Sequence, residues 1–367
     1  MIKYYCFRNN FFGQKTNKRF PVLGKGGIRL VIAKFMTPYS ELTITEMMNI
    51  LNLEKDAASA KESMKNICLH SKSQNIQKKG MEYLYIYGFI QELELLIQKN
   101  LESDNPSNRL WGGIYRIMVD QRCFKISPIE TLDQLAYFRG RYSTKEPELL
   151  FLIELIQEKA YQHLNQFDKI GNLMVTHQQY FSEIEERLLV VFFKIRLYKI
   201  NVVYHIMRNE LIMARKYAYR ALNMLDSPQL HAHVHTYLGL SYTHDAYESG
   251  IYHLDQALKI SEDNNLYYMI NILENYNIPF LSAHYKMVEN IRTADKGEQA
   301  HIELAKGNNE KAIDILSEIP SKTPFQLYYL GKAKRDKGLL MKSYNHFIGK
   351  LSVYFFSKLP LDAMKKL

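Results

Sequence analysis

The chain has 367 residues, a formal net charge of +10, and only 10 prolines and 17 glycines. Its three cysteines, Cys6, Cys68 and Cys123, are far apart and odd in number, which argues against a disulfide framework and a Cys-x-x-Cys metal site. The longest apolar run, at residues 188–193, is far too short for a membrane span of roughly 20 residues. We therefore expect a reduced, cytoplasmic protein without a membrane segment.

The positive charge is concentrated at the N-terminus. Residues 1–40 carry eight basic side chains and no acidic one, so the rest of the chain has a net charge of only +2. A basic arm on a near-neutral body is typical of a nucleic-acid contact, because phosphates supply most of the non-specific affinity. A basic tail without a partner is the alternative. We expect residues 1–40 to form a basic N-terminal region and residues 41–367 a helical-repeat domain.

Amphipathic segments separated by short polar breaks predict an all-α protein, and no alternating run is long enough to indicate a strand. The predicted helices cover residues 28–36, 45–53, 56–70, 77–101, 107–120, 129–138, 146–163, 168–180 and 182–207. Helix pairs follow at 209–225 and 229–244, 247–261 and 265–276, 278–291 and 295–306, and 309–318 and 325–337, with a last helix at 339–350.

The C-terminal half contains a weak repeat of helix pairs. Ala300 is followed twelve positions later by Ala312, and Gly331 by Ser343, with a large apolar residue four positions further on in both units. Tyr237-Leu-Gly-Leu-Ser-Tyr242 begins a similar unit. Small residues at this spacing allow two antiparallel helices to approach closely. The pattern resembles the tetratricopeptide motif, so we expect a right-handed superhelix of helix pairs whose concave face binds an extended peptide.

The sequence contains no motif typical of catalysis, nucleotide binding or metal binding. Gly24-Lys-Gly-Gly27 lacks the spacing of a phosphate-binding loop. His231 and His235 fall on one helix face, but neither an HExxH motif nor a third ligand accompanies them. We therefore expect no catalytic residue, no metal and no cofactor.

In a stacked helix-pair superhelix, the first helix of each pair lines the groove. If the small residue at each helix crossing is position eight, positions two, five, nine and twelve face the groove. Counted in this way, the groove residues include Arg196, Lys199, Val203, His233, Thr236, Leu240, Gly297, His301, Phe325, Tyr328, Lys332 and Arg335. Four of them are fixed cations and none is acidic, so the expected ligand is a short peptide that carries a carboxylate.

Several segments, in the right order and at the right spacing, resemble the arbitrium receptors (AimR) of temperate phages. They are Arg215-Lys-Tyr-Ala-Tyr-Arg-Ala-Leu222, Gly297-Glu-Gln-Ala-His301 followed by Asn308-Asn-Glu-Lys-Ala312, Leu327-Tyr-Tyr-Leu-Gly-Lys332 and Lys358-Leu-Pro-Leu361. The resemblance covers about residues 65–367. It implies a homodimeric transcription regulator in the host bacterial cytoplasm, with a helix-turn-helix domain for operator DNA and a tetratricopeptide-like body for a secreted oligopeptide. In this family, peptide binding controls the lysis–lysogeny decision.

The resemblance also assigns individual residues. Three groove positions that are Asn or Gln in other members of the family are occupied here by Val203, Leu240 and Gly297. At a fourth position, Gln229 replaces an Arg. We therefore expect the cognate peptide to differ from theirs. The end of the family's DNA-binding domain matches Lys15, Thr16, Asn17, Lys18 and Arg19, and the first helix of a helix-turn-helix is not readable. We therefore expect a small, incomplete remnant of that domain. Residues 42–64 form a second, less basic candidate for the motif.

The C-terminal end is too apolar for the last helix of a solenoid, which normally presents a polar outer face. The apolar residues are Tyr344, Phe347, Leu351, Tyr354 and Phe355. We expect them to form the interface of a homodimer. The competing hypothesis for the whole chain is a helical-repeat peptide receptor of the Rap type, which acts on a protein partner and binds no DNA.

Overall fold

The computed structural model describes residues 42–174, 176–224 and 227–367. Within these ranges every regular element is a helix, which confirms the all-α fold class. No helix in the described part of the chain has both the length and the apolar character needed to cross a membrane. The basic region at residues 1–40, which includes the DNA-binding candidates Lys15–Arg19, lies outside the described residues. The division into domains at residue 40 therefore stays a prediction.

The described residues form two compact units. We call residues 42–160 and 176–194 the N-terminal unit, and residues 161–174 and 195–367 the C-terminal unit. In chain order the helices are α1 (Ile44–Glu54), α2 (Ala57–His70), α3 (Gln74–Tyr87), α4 (Ile90–Leu101), α5 (Pro106–Arg122), α6 (Pro128–Arg141), α7 (Pro147–Leu164), α8 (Phe167–Leu173), α9 (His177–Glu183), α10 (Arg187–Met207), α11 (Leu211–Leu222), α12 (Pro228–Ser241), α13 (Tyr247–Asp263), α14 (Tyr267–Ile272), α15 (Ile278–His284), α16 (Lys296–Ala305), α17 (Asn309–Ser317), α18 (Pro324–Lys334), α19 (Lys337–Asn345) and α20 (Tyr354–Lys365).

Polar side chains define where helices of the N-terminal unit begin. Thr43 and Glu46 form a reciprocal capping box at α1, and Asp56 accepts hydrogen bonds from two amides in the first turn of α2. Asn105 caps α5, whose first residue is a proline that needs no hydrogen-bond donor there. These caps satisfy N–H groups that a helix leaves without an internal partner.

Large aromatic residues fill the core of the N-terminal unit. Tyr83, Trp111 and Tyr115 are fully buried. Their polar atoms are satisfied, because the Trp111 indole donates to Glu146 at 3.0 Å and the Tyr115 hydroxyl donates to Glu82 at 2.6 Å. Buried aromatic side chains of this kind supply much apolar contact area without leaving a polar atom unpaired.

In the C-terminal unit, small residues lie where paired helices cross. A Cβ atom added to Gly239 of α12 would lie 2.7 Å from the Leu254 side chain and 2.9 Å from the carbonyl oxygen of Gly250 in α13. One added to Gly331 of α18 would lie 2.9 Å from Leu340 in α19. Both distances are below ordinary contact, so only glycine permits these close helix crossings. The sequence-based expectation of small residues at the crossings is confirmed at these pairs.

Several predicted helix boundaries are wrong. The helix predicted at 77–101 is two helices, α3 and α4, because Gly88 adopts φ 79° and ends α3 with a left-handed cap. The helix predicted at 168–180 is divided between α8 and α9. The final helix, α20, was not predicted.

The helices predicted at 265–276 and 278–291 are in fact one continuous helical stretch. A π-helical segment at Leu273–Asn277 joins α14 to α15, and the Ile278 amide donates to the Leu273 carbonyl, five residues back. Pro279 has no N–H group and would interrupt a regular α-helix. The wider π turn lets the chain pass the proline without ending the helix.

The C-terminal apolar run is largely covered within its own chain. Phe347 and Phe355 are both 0% exposed, so the expectation that they form a dimer interface is wrong. The reason is that residues 354–365 fold into α20, which packs on α19 and returns these rings to the core. Tyr354 remains 43% exposed.

Candidate functional site

A cluster of aromatic and ionisable side chains lies on one face of α15, α16 and α18. Its centre is His301 of α16, which stacks on Tyr329 of α18 with ring centroids 4.1 Å apart. Phe280 of α15 lies 5.7 Å from His301, and Phe325 of α18 lies 5.6 Å from Phe280. Helical spacing places Phe325 and Tyr329, four residues apart, on the same face of α18.

A buried carboxyl group holds the centre of this cluster. The Tyr329 hydroxyl donates to Glu298 Oε1 at 3.1 Å, and Glu298 Oε2 lies 3.4 Å from His301 Nδ1. Burial, together with Asp295, raises the pKa of Glu298 to about 8. Burial lowers the pKa of His301 well below its ordinary value, and Lys332 and His284 add to that effect. Both Glu298 and His301 are therefore predominantly neutral near pH 7.

The neutral state assigns the histidine tautomer. In this state Glu298 Oε2 can donate to His301 Nδ1, and on this basis we assign the imidazole proton to Nε2. His301 Nε2 is buried and has no hydrogen-bond partner among the described residues. The cluster thus presents one unsatisfied buried donor, which carries a free-energy cost until an acceptor reaches it.

Lys332 adds a positive charge without a counter-ion. Its ammonium group is half-buried and lies 5.6 Å from the centroid of the Tyr328 ring. Burial lowers the pKa of Lys332, and Lys286 and Lys366 lower it further. Within the described ranges, no ion pair joins Lys332 to a carboxylate. This part of the cluster therefore favours an anion.

Helix α20 covers part of the same face. Phe356 lies 5.1 Å from Phe325 and 5.9 Å from Phe280, measured between ring centroids. His244, which follows α12, has its Nε2 atom 3.1 Å from the carbonyl oxygen of Phe355. Tyr328 is only 4% exposed.

A cavity of about 340 Å³ opens beside Gly297, at the beginning of α16. Asn275, in the π-helical segment, accepts a hydrogen bond from the Ala294 amide at 2.7 Å and so holds the loop before α16. A Cβ atom on Gly297 would lie 2.8 Å from Gln326 Nε2. The cavity is lined by Asn271, Asn275, Tyr276, Ala294, Asp295, Lys296, Gly297, Ile319 and Gln326. Amide side chains of this kind suit the N–H and C=O groups of a peptide backbone.

Residues 60–366 match a family model described as AimR transcriptional regulator-like. The chain belongs to this AimR-like family. The family is a class of transcriptional regulators rather than of enzymes. No curated protein matches the sequence.

Solved structures share the fold of this AimR-like chain. One described as "Structure of phAimR-Ligand" has a TM-score of 0.72 and 20% identity, and the match covers 90% of this chain and 99% of that one. Another, described as "Structure of SeMet-phAimR", has a TM-score of 0.68 and 18% identity, with coverage of 100% and 95%. At these identities the likeness shows a common fold.

The structure of the AimR-like chain brings some of the predicted groove residues together. His301, Tyr328 and Lys332 belong to the cluster on α16 and α18, and Gly297 lines the adjacent cavity. Arg335 is exposed and ends α18 in a left-handed conformation, with φ 51°.

The other predicted groove residues are in α10 and α12. Arg196, Lys199 and Gln229 are half-buried. Val203, His233, Thr236 and Leu240 are buried. Thr236 donates its hydroxyl proton to the Ala232 carbonyl at 2.7 Å, as a helical threonine often does.

Sequence reasoning missed several members of the cluster, among them His244, Phe280, His284 and Glu298. Phe280 and His284 were missed because the groove positions were counted from Ala300 in the following helix, although both residues lie in the predicted helix 278–291. Their i, i+4 spacing after Pro279 is the signal that could have found them. Glu298 has no such signal, because only its burial makes it unusual.

The His231–His235 run is part of a side-chain pair rather than a metal motif. His235 Nδ1 lies 3.0 Å from His253 Nδ1 on α13, so one imidazole donates to the other. Burial, with His253 and His231, lowers the pKa of His235 to about 4. No group of three or more potential metal ligands occurs among the described residues.

Proposed function

We propose that this AimR-like chain is an arbitrium-type receptor. It is a cytoplasmic transcription regulator of the host bacterial cell that binds a short secreted oligopeptide and thereby controls the lysis–lysogeny decision. The proposed peptide-binding residues are Arg196, Lys199, Val203, Gln229, His233, Thr236, Leu240, Gly297, His301, Tyr328, Lys332 and Arg335.

The observation that carries this proposal is that Lys332 and His301 belong to one cluster, in which the charge of Lys332 helps to lower the pKa of His301. Among the described residues, a half-buried ammonium without a carboxylate partner and a buried imidazole nitrogen without a hydrogen-bond partner lie in one cluster. Both groups lose hydration on burial, and an anionic acceptor would compensate both. A peptide carboxylate, at the C-terminus or on an acidic side chain, has the required charge and oxygen atoms.

Calorimetry on the full chain tests this site. The ligand is a synthetic oligopeptide from the C-terminus of a small secreted precursor encoded next to the receptor. Lys332→Gln should weaken binding about ten- to a hundredfold, since a hydrogen bond to a charged group contributes about 1.5–3 kcal/mol. Lys334→Gln, on the exposed end of α18, is the matched control and should bind as the wild type does.

The peptide itself provides the second arm of the test. C-terminal amidation should weaken binding to the wild type, and it should have a much smaller effect on Lys332→Gln if the two groups interact directly. If Lys332→Gln binds the unmodified peptide within threefold of the wild type, the site is elsewhere.

DNA binding is proposed for Lys15, Thr16, Asn17, Lys18 and Arg19 of the basic region. Changing Lys15, Lys18 and Arg19 to Ala should abolish a salt-dependent gel shift with the DNA upstream of the regulated gene, and should leave peptide affinity unchanged. The control is Lys3, Arg8 and Lys34 changed to Ala, which removes the same charge from the same region. A wild-type chain that binds the peptide and shifts no DNA would favour action on a protein partner.

A homodimer is also proposed, with its interface at the C-terminal end of the chain. Tyr344, Leu351 and Tyr354 remain partly or fully accessible there. Light scattering at micromolar concentration should give twice the mass of one chain, and a monomer would contradict the proposal.

A further inference from the structure

We propose that the groove face of α15, α16 and α18 is a peptide site whose resident ligand is α20 of the same chain, so that an external peptide binds by displacing this helix. This inference rests on the proposed function, because it concerns the same groove.

The contacts of α20 are with predicted groove positions. Phe325, a groove position in the sequence-based count, contacts Phe356 of α20, with ring centroids 5.1 Å apart. Phe280 also contacts the Phe356 ring, with ring centroids 5.9 Å apart. The groove end of α18 is therefore filled by an aromatic side chain of the chain's own C-terminus.

A polar contact anchors the first turn of α20. His244 lies 3.1 Å from the Phe355 carbonyl oxygen through Nε2, and its ring packs edge-to-face on Phe355 at 4.9 Å. The two residues are 111 positions apart in the chain. A donor from the repeat body thus meets a backbone carbonyl of α20, which is the type of contact that a bound peptide makes.

Helix α20 has one buried face and one exposed face, as a helical peptide docked in a groove does. Phe355, Phe356, Leu359 and Pro360 are buried, whereas Tyr354 is 43% exposed. Pro360 lies inside the helix and removes one backbone hydrogen bond, which weakens the helix on its own.

Two of the predicted groove residues are buried while α20 is in place. Tyr328 is 4% exposed and His301 is 0% exposed. A peptide that contacts them must first replace what covers them. The occupant also indicates the ligand class, which is a peptide with a large apolar side chain for the Phe280–Phe325 pair and a carboxylate for Lys332.

The test uses the full chain with Phe356→Ala, which removes the ring that contacts both Phe280 and Phe325. The matched control is Tyr267→Ala, an aromatic deletion at an exposed position of α14 in the same unit. Hydrogen exchange of residues 354–365 should be at least tenfold faster in Phe356→Ala than in the wild type or the control. Exchange in α12, α13 and α16 should not change. Faster exchange throughout these helices would show that α20 is part of an inseparable core, and would overturn the proposal.

A second measurement uses a probe of known sequence, a fluorescent synthetic peptide corresponding to residues 353–367. It should bind Phe356→Ala with a micromolar dissociation constant and should not bind the wild type or Tyr267→Ala, whose grooves are filled. Absence of binding to Phe356→Ala would overturn the proposal. If Phe356→Ala does not fold, His244→Ala, which removes the contact with the Phe355 carbonyl, should shift both measurements in the same direction.

The signalling peptide separates this inference from the proposed function. If the signalling peptide binds the wild type and speeds hydrogen exchange in residues 354–365, the proposed function and the displacement of α20 are both supported. If it binds while exchange there slows, α20 is not displaced and only the inference fails. If the synthetic α20 peptide binds Phe356→Ala but no oligopeptide signal binds the chain, the proposed function fails. The inference that α20 occupies a peptide site is then retained.

Discussion

The imidazole of His301 stacks on the phenol ring of Tyr329, with centroids 4.1 Å apart and planes 19° from parallel. The Glu298 carboxyl group is hydrogen-bonded to Nδ1 of His301 and to the hydroxyl of Tyr329. One buried carboxyl group therefore sets the orientation of α16 against α18. The same contacts leave His301 Nε2 as the open donor of the cluster. The groove chemistry and the stability of the last helix pairs therefore depend on one set of contacts.

Removing the hydroxyl of Tyr329 should destabilise the protein. Tyr329→Phe keeps the ring stacked on His301 but leaves Glu298 Oε1 without its donor. A buried polar atom that loses its partner costs about 1–3 kcal/mol. Urea denaturation should show this loss, and Tyr354→Phe, at an exposed position, should not. Equal stability of the two variants would mean that water replaces the lost donor.

Glu298 should make stability fall as the pH rises. Its pKa is about 8 in the folded protein against an ordinary value of 4.5, mainly because of burial. The folded state therefore binds more protons than the unfolded state between these values, and this contribution is fully present below about pH 4.5 and lost as the pH rises through 8. Glu298→Gln cannot ionise. Between pH 6 and 9, the wild type should lose about 2–4 kcal/mol more than Glu298→Gln in thermal denaturation. Parallel pH profiles would contradict this assignment.

Three partly or fully buried histidines should make the protein sensitive to acid. Burial is the main cause that lowers the pKa of His177, His235 and His284 from 6.5 to about 4. The unfolded state binds more protons between these values, so stability is lost as the pH falls from 6.5 toward 4. At pH 5 each histidine should cost about 1–2 kcal/mol.

The variant that tests this acid sensitivity is His235→Gln. It should lose less stability than the wild type between pH 7 and pH 5, measured by urea denaturation at each pH. His70→Gln, at an exposed position, is the control and should lose as much as the wild type. The same pH dependence in all three proteins would show that His235 does not contribute.

Gly239→Ala should destabilise the crossing of α12 and α13. Its methyl group would lie 2.9 Å from the Gly250 carbonyl oxygen, a backbone atom that cannot rotate away. Overpacking of this kind typically costs about 1–3 kcal/mol. Gly349→Ala is the control, because nothing lies within 4 Å of its added methyl group. A melting temperature for Gly239→Ala equal to that of the control would mean that the two helices can separate at little cost.

Local patterns in the sequence determined the class of this protein. Helical periodicity, capping residues and small residues at helix crossings depend on neighbours within one or two turns, and all three are visible in a single sequence. They were sufficient for the all-α fold, for the close crossing at Gly239, and for the family. The count from Gly331 also selected Phe325, Tyr328 and Lys332 on one helix.

Contacts between distant segments decided the rest. Sequence rules that use only neighbouring residues predict that a helix ends near Pro279. The structure shows instead that the π turn before Pro279 joins α14 and α15 into one continuous helical stretch. The apolar C-terminus indicates an exposed interface, yet α20 buries Phe355 against His244, 111 residues earlier. The pKa of Glu298 is raised because it is enclosed by other helices, which its sequence neighbours do not specify. Burial and long-range contact are properties of the folded chain, because they depend on residues that meet only after the helices have packed.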